Sequence, residues 1–352
     1  MNILITGVGG PTPRSFAIAL KKYASFKNLR LIATDINPLS MGLYQHDLFD
    51  VSYVVPRATA SDYWEVIQNI VDKEHITMAV ILPELEVMEW SKRNETEGVP
   101  CNVLLPSSTM ASFLVDKAKM TEILDPLGLV PPSVSFDRDL EDISVVFDTL
   151  GDDFWVRSSS GTSGLGSLHI DSQAALRNWI QINPGVTHFL ASTFLTGRNL
   201  ACKLLYWEGK LVRSACAERV NYIMAKVAPS GITGNTSFGR LLNEPKLVEV
   251  ATQAMDKMFA YTGSDKHGFY TVDFKEDSLG KPYITEVNVR HVAFTQCFAA
   301  GGANFAADTV QLLSDPDAFD MDYRMYEFEE GLIFLRDVDS LPVIMREGEL
   351  LG

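Results

Sequence analysis

The chain has 352 residues, 46% hydrophobic and 21% charged, with 45 acids against 30 bases and a formal net charge of −15. That is ordinary for a globular protein with a sizeable core, and at about 150 residues per domain it predicts two to three domains. The acidic excess excludes a general nucleic-acid backbone binder, whose affinity comes from clustered Lys and Arg; a phosphate-bearing small molecule needs only a few placed cations.

In the first hundred residues strand and helix signals alternate. An apolar strand is predicted over 2–6, ending in a Gly/Pro turn, then a helix over 16–22 and a second strand over 29–34. Ser61 stands as the N-cap of an amphipathic helix with Trp64, Ile67, Ile70 and Val71 at helical spacing. A third buried strand runs over 78–82 and is closed by Pro83. Apolar strands separated by helices imply a parallel sheet covered on both faces, the doubly wound α/β arrangement.

A seam falls near 105–108, and beyond it Asp116 caps a helix over 117–124. A new unit starts near Asp153, with a strand over 154–157, a Gly/Ser loop over 158–167, a strand over 168–170 and a helix over 173–181. A strand over 189–194 leads into a Thr196-Gly197 turn. Strands over 200–206 and 211–217 form a hairpin around Glu208-Gly209. Residues 220–243 are rich in Gly, Ser, Asn and Thr without periodicity and read as a long functional loop. An amphipathic helix over 246–261 comes next, then strands over 269–274 and 283–289 around a polar turn. The acidic tail after about residue 316 carries no assignable pattern.

Cys101, Cys202, Cys216 and Cys297 share no metal-type spacing and read as reduced thiols in a cytoplasmic protein. No apolar run approaches the ~20 residues of a bilayer span, and the first residues lack the basic-then-apolar pattern of a secretory leader. No membrane partner is expected.

Gly7-Val8-Gly9-Gly10-Pro11-Thr12 exposes backbone amides at a helix N-terminus, where an anion can sit. Asp35 closes the second strand, where a dinucleotide fold places the acid that holds a ribose hydroxyl. One reading is a nicotinamide-dependent reductase. Thr12 replaces the third glycine of GxGxxG and two prolines crowd the turn, which favours a plain tight turn, or a small anionic substrate at Gly9 and Gly10. Glu84 and Glu86 come after the third strand at the end where such sheets bind ligands. They are either holders of a substrate amine or the solvated start of a helix.

The densest chemistry lies near the C-terminus. Glu286, Asn288 and Arg290 alternate with Val287 and Val289, so strand periodicity puts all three on one face. Asp273 lies on the preceding strand, and a turn centred near Leu279-Gly280 brings it beside Glu286. Two carboxylates and an amide oxygen are hard ligands of the kind Mg²⁺ takes, few enough to leave room for phosphate and water. Arg290, one step further, can neutralise a phosphoryl group or a carboxylate. The loop from Arg157 to Ser167, with three glycines and five serines, can close over phosphates with amides and hydroxyls. Arg219 is a candidate phosphate or carboxylate contact, and Arg240 belongs to the same stretch, which is either a substrate-binding segment or a surface loop. His291 is either a general base beside Arg290 or a structural histidine.

Asp116-Lys117, Phe154-Trp155-Val156-Arg157-Ser158 with its glycine loop, Phe194-Leu195-Thr196-Gly197, Val272-Asp273-Phe274 and Glu286-Val287-Asn288-Val289-Arg290 occur in that order. Together they resemble the ATP-grasp superfamily, most of all its carbamoyl-phosphate-synthase-like members, over roughly residues 106–315. The preceding α/β segment is similar to the family's pre-ATP-grasp domain.

The resemblance implies an N-terminal domain over 1–105, a central linker subdomain over 106–152, and a two-lobed α+β grasp. Its small lobe with the glycine loop covers 153–198, and its large lobe with the metal site and a C-terminal extension covers 199–352. It implies ATP and Mg²⁺, with Mn²⁺ as an alternative. Lys117, Arg157, Ser158, Ser160, Gly161, Gly164 and Gly166 would meet the phosphates. Ser192, Thr193, Phe194 and Leu195 would meet the adenine edge, Asp273, Glu286 and Asn288 the metal, and Arg290 the γ-phosphate and acyl phosphate. The hinge lacks the family's usual acids, and Asn199 stands where a ribose-holding Glu is expected. The implied activity is ATP-dependent ligation of a small-molecule carboxylate to an amine or other nucleophile, in a chain that is a homodimer at the level of family expectation. Three alternatives stand beside it: a regulatory nucleotide binder without turnover, a kinase that does not ligate, and the nicotinamide reductase.

Overall fold

The computed structural model describes residues 1–160, 167–337 and 343–349. The first strands are β1 (Asn2–Thr6), β2 (Arg30–Asp35), β3 (Val51–Val54), β4 (Met78–Val80) and β5 (Asn102–Val103), interleaved with helices α1 (Pro11–Tyr23), α2 (Tyr63–Glu74) and α3 (Glu84–Thr96). They form a parallel sheet in the order β3-β2-β1-β4-β5. Its strands alternate their burial between two cores, as the period of two requires. Leu4 and Ile32 face α2 and α3, whereas Ile3, Ile5, Leu31 and Ala33 face α1.

Helix α1 begins at Pro11, earlier than its apolar periodicity alone indicates. A proline at the first helical position has its φ preset and lacks an N–H that would be unpaired there anyway. Gly7 precedes it at φ 69°, where a Cβ would lie 2.3 Å from Pro83 Cγ, so the turn is closed to any other residue. Helix α2 is entered through Asp62 rather than the expected Ser61, and no side chain caps it.

Helices α4 (Ser108–Val115) and α5 (Lys117–Leu124) meet at Asp116, whose carboxylate accepts from Ala118 N and Lys119 N at 3.1 and 3.2 Å. That cap sets the first residue of α5, Lys117, at a fixed place. The small antiparallel sheet contains β6 (Ser133–Asp137), β7 (Phe154–Ser158), β8 (Leu168–Ile170) and β9 (His188–Thr193), ordered β6-β9-β7-β8. Helices α6 (Ser144–Leu150) and α7 (Gln173–Ile182) cover it, over a core that includes Phe136, Phe147, Phe154, Leu176 and Phe189.

The large sheet is built from β10 (Asn199–Trp207), β11 (Lys210–Tyr222), β12 (Thr236–Leu242), β13 (Gly268–Glu276) and β14 (Pro282–Asn288). The short strands β15 (Arg324–Met325), β16 (Leu332–Leu335) and β17 (Val343–Arg346) complete it. The order is β14-β13-β10-β11-β12-β16-β17, with β15 beside β11. Glu208 and Gly209 both have positive φ, 43° and 90°, as a two-residue hairpin turn needs. One expectation is corrected here. The stretch 220–243 is not one loop: β11 runs on to Tyr222, β12 pairs with it from Thr236, and only 223–235 connects them. The acidic tail, which the sequence leaves unassigned, is part of the same sheet, because β16 and β17 extend it beyond β12.

Helix α8 (Pro245–Thr262) covers one face of this sheet. Helices α9 (Thr295–Ala300) and α10 (Phe305–Ser314) turn back onto α1: Gln296 N donates to Ser15 Oγ at 2.8 Å, and Asn304 Nδ2 donates to the carbonyls of Ala19 and Tyr23. Ala299, Ala306, Val310 and Leu313 lie in the same core as Ile3, Phe16 and Leu20. Among the described residues no helix is long and apolar enough to cross a membrane.

Candidate active site

Strands β13 and β14 pair with Asp273 opposite Glu286 and Thr271 opposite Asn288. Between Asp273 and Phe274 the register slips by one residue, so Thr285 is extra. Such a bulge re-aims its neighbours. Ile284 turns into the core while Glu286 and Asn288 stay on the open face with Asp273. Thr285 is used in its own right: its hydroxyl donates to the Asp273 carbonyl at 3.2 Å, and its carbonyl accepts from Arg157 Nη2 at 2.7 Å.

Cations converge on this face from three other elements. Lys117, at the start of α5, places Nζ 3.2 Å from Glu286 Oε1, and its backbone N–H donates to the Ser159 carbonyl at 2.9 Å, which ties α5 to the end of β7. Arg219 on β11 places Nη1 3.4 Å from Asp273 Oδ1, while its Nε donates to Thr236 Oγ1 and its Nη2 to the Gly234 carbonyl. Asn288 Nδ2 donates to Asp273 Oδ2 at 3.2 Å. Arg290 comes just after β14 and donates to the His291 carbonyl. The Nε atoms of Arg157 and Arg290 are buried without a hydrogen-bond partner among the described residues.

Two cavities meet here. A cleft of about 600 Å³ runs between the small and large sheets, lined by Lys117, Arg157, Ser158, Ser192, Thr193, Phe194, Leu195, Asn199, Arg219, Asp273 and Glu286. Its far wall is aromatic: Trp155, His169 and Phe194 lie together, the last two stacked at 4.0 Å. A second cavity of about 330 Å³ is lined by Gly7, Gly10, Thr12, Asn288, Arg290 and Phe294. Both include Arg219, Gly234, Asp273 and Glu286 in their walls, so the acids sit at the junction.

Burial dominates the electrostatics. It pushes Asp273 up to about 6, with Glu286 adding to the rise and Arg219 and Lys203 opposing it. Burial lowers Arg157 against the attraction of Glu286. It also lowers Arg290, against Glu84, Glu286 and Asp273. Lys203 on β10 is fully buried among Phe269, Phe294 and Phe298, and burial brings it down to about 7 although Asp273 opposes this. Among the described residues no three His, Cys, Asp or Glu side chains gather as a metal set. The oxygen set at the junction is two carboxylates and one amide.

The remaining candidates lie elsewhere. Arg240 is outside both cavities, paired with Glu218 at 3.0 Å and Glu347 at 2.6 Å, because β12 is a strand and not part of the loop. Ser160 is exposed and lines neither cavity. Gly161, Gly164 and Gly166 lie outside the described residues. Glu84 lines neither of these two cavities but acts electrostatically on Arg290. Gly9 faces a third cavity. His291 is a packed histidine, stacked on Phe269 at 3.7 Å, and its burial lowers its pKa well below the usual value. Asp35 binds its own loop: Oδ2 accepts from Gly9 N at 2.7 Å, and Oδ1 from Asn37 N and Ser40 Oγ. Both oxygens of Asp35 are thus engaged by its own turn. His169 and Lys203 carry no signal in the sequence, since each looks like an ordinary strand residue.

The family model for PylC-like N-terminal domains matches residues 3–102. No curated protein matches the chain by sequence. Among solved structures, N5-carboxyaminoimidazole synthetase from Staphylococcus aureus, complexed with ADP, superposes with a TM-score of 0.68 at 15% identity, covering 95% of this chain and 81% of that one. The L-amino acid ligase of Bacillus licheniformis gives 0.64 at 16% identity, covering 95% and 78%. The biotin carboxylase domain of Hydrogenobacter thermophilus 2-oxoglutarate carboxylase, in complex with MgADP, ADP and bicarbonate, gives 0.68 at 14% identity, covering 95% and 74%. Residues 3–102 thus match the PylC-like N-terminal domain model, and the chain as a whole shares the fold of these ATP-grasp structures.

Proposed function

We propose that the chain is an ATP-dependent ligase that activates a carboxylate as an acyl phosphate for attack by an amine or another nucleophile. The observation that carries this is the junction: two cavities, one for each half of the reaction, share Asp273, Glu286 and Arg219. The cleft takes ATP, its aromatic wall facing the base and Lys117 and Arg157 facing the phosphates. Among solved structures of the same fold, two of those described above were crystallised with ADP. The smaller cavity takes the carboxylate, against Arg290 and the N-terminal turn of α1.

The donor set fits Mg²⁺, because all its oxygens are hard and few. Bound to Asp273, Glu286 and Asn288, Mg²⁺ would offset phosphate charge as a Lewis acid. The protein's own part is positioning and charge. Lys117 and Arg219 lie against Glu286 and Asp273, within reach of the phosphate oxygens whose charge they would offset. A carboxylate oxygen bonds to the γ-phosphorus as the bond to ADP breaks. The nucleophile then bonds to the acyl carbon, phosphate departs, and an amine nucleophile loses its proton to solvent. Arg290, buried beside the reacting groups, is worth more there than in water. A purely regulatory role would leave this complete set of charges without a use.

The purified chain is expected to release ADP from Mg-ATP only when a carboxylate and an acceptor are both supplied. A screen of amino acids and small carboxylates, with and without an amine, checks this. Binding of a nicotinamide nucleotide with no binding of ATP would overturn it. Asp273 adds a pH signature. With its pKa near 6 in the folded chain, a proton competes with the cation below that pH, and affinity falls as the site must first deprotonate. Mg²⁺-dependent binding of a non-hydrolysable ATP analogue should weaken by about tenfold per unit below pH 6 and level off above it. Trp155 in the cleft wall provides the fluorescence readout, and a flat profile would contradict the metal assignment.

A further inference from the structure

The segment that follows α10 has no part in the chemistry described so far, yet one of its side chains backs onto the residues that hold Arg219. Strand β16 pairs with β12 in antiparallel register, with Phe238 opposite Leu335. Arg336, the next residue, donates its N–H to the Ser237 carbonyl at 2.7 Å. Its guanidinium turns inward, and the residue is 8% exposed. Nη1 donates to the Thr236 carbonyl at 3.2 Å and Nη2 to Asn235 Oδ1 at 3.5 Å. Arg336 lines neither of the two cavities that meet at the junction.

The same short stretch grips Arg219 from the other side. Arg219 Nε donates to Thr236 Oγ1 at 2.9 Å and Nη2 to the Gly234 carbonyl at 2.7 Å, which leaves Nη1 to face Asp273. The rings of Tyr222 and Phe294 lie against the guanidinium, with centroids 4.9 and 5.4 Å away. Rings restrict the tilt of the plane, but the direction of the fork within that plane is set by its hydrogen bonds. The strand ladder gives residues 234–236 little help. The β11–β12 register slips twice beside them, between Arg219 and Asn221 and between Asn221 and Tyr222, and such slips break the local pairing. Two guanidiniums thus share one set of acceptors. Burial lowers Arg336, with Cys297 opposing and Arg14 and Arg219 adding to the drop. Like charges stay buried this close where acceptors stand between them. Here those are two carbonyls, a hydroxyl and an amide oxygen, all from 234–236.

We propose that Arg336 is a positioning residue: it pins Asn235 and Thr236 from behind, and through Thr236 it keeps the Arg219 fork aimed at the junction, where the γ-phosphate of a nucleotide would lie. The γ-phosphate rests on the ligase reading; the hydrogen-bond path does not. The stretch beyond α10, an acidic tail in the sequence, thereby supports the site from outside both cavities.

The test is calorimetric titration of the full chain, in Mg²⁺, with ADP and with the imido analogue of ATP, because only the second carries the phosphate that Arg219 faces. Arg219→Met should lower affinity for the imido analogue by about tenfold or more and affinity for ADP by about twofold or less. Arg336→Met should reproduce that split at about fivefold or more, and Arg336→Lys should recover part of it. The double variant should lose little beyond Arg219→Met, since one residue acts through the other. A merely structural Arg336 would lower both affinities alike, or its loss would add in full to that of Arg219; either result overturns the proposal. Should Arg336→Met not fold, Thr236→Val removes only the hydroxyl that accepts from Arg219 and should give the same split; an unchanged preference for the imido analogue there overturns the proposal too. ADP release judges the ligase reading separately. The split as described, in a chain that turns over no ATP with any carboxylate, upholds the positioning role and removes the ligase reading. Native turnover, with an Arg336→Met chain that keeps its preference for the imido analogue, does the reverse.

Discussion

Glu286→Gln is expected to lower ADP release by about 10³-fold at saturating Mg-ATP, the scale on which lost metal and electrostatic stabilisation acts. Gln has nearly the same shape and preserves a hydrogen-bond acceptor facing Lys117 Nζ, 3.2 Å away in the native chain. It removes the charge. Glu286 is also the one acid whose strand partner, Asp273, is itself pulled towards protonation by burial. In the variant the junction has a single acid to hold a divalent cation, and burial draws that acid towards protonation at mildly acidic pH. The fold should be unaffected, because β14 is held by its backbone ladder and by Ile284 and Val287 in the core. Steady-state ADP release with a thermal unfolding curve checks both halves. Near-normal turnover in a folded variant would dismantle the metal assignment.

Arg290→Met should separate chemistry from nucleotide binding. Arg290 lines the smaller cavity and not the cleft. Its loss should lower kcat by about 10²–10³-fold and shift the KM for ATP far less. Methionine roughly fills the buried volume, so a large part of the effect is charge. Arg290→Lys should recover only part of the rate, since an ammonium lacks the planar fork that grips two oxygens at once. If kcat holds while the KM for ATP climbs, Arg290 serves the nucleotide, and the division of labour between the cavities is wrong.

Much of this site is visible in the residue order alone. Glu286, Asn288 and Arg290 alternate with valines, and that alternation is enough to put them on one strand face. Asp116 precedes Lys117, and a capping carboxylate holds the next residue in place. The invisible part is where regular periods break. Thr285 has no property that marks it as a bulge, yet the bulge is what frees its carbonyl for Arg157. β12 reads as loop because it contains Gly239, but that glycine is there for packing. A Cβ would lie 2.4 Å from Phe334 Cζ and 2.5 Å from the Glu218 carbonyl, so β11, β12 and β16 approach closely only without one. The same loop-like composition puts Arg240 in a substrate segment and leaves β16 unassigned. The third cavity is illegible for another reason. Its walls come from four separate stretches of the N-terminal domain; the glycine turn, Asp35 and Glu86 each stand out in the sequence, but nothing in their order says that they share one cavity.

Helix α1 has a consequence for how this protein could be cut and recombined. The family match ends at residue 102, and the sheet it covers is closed by strands from its own segment. Its hydrophobic filling is not. Ala299, Ala306, Val310 and Leu313 arrive from some two hundred residues away to complete the layer around Phe16 and Leu20, and Asn304 fastens to the end of α1. A fragment that stops at the family boundary would bare that layer to water, and a chimera that swaps in another N-terminal module must bring matching α9 and α10 faces with it. The boundary that inheritance draws through this chain is therefore not the boundary along which it can be taken apart.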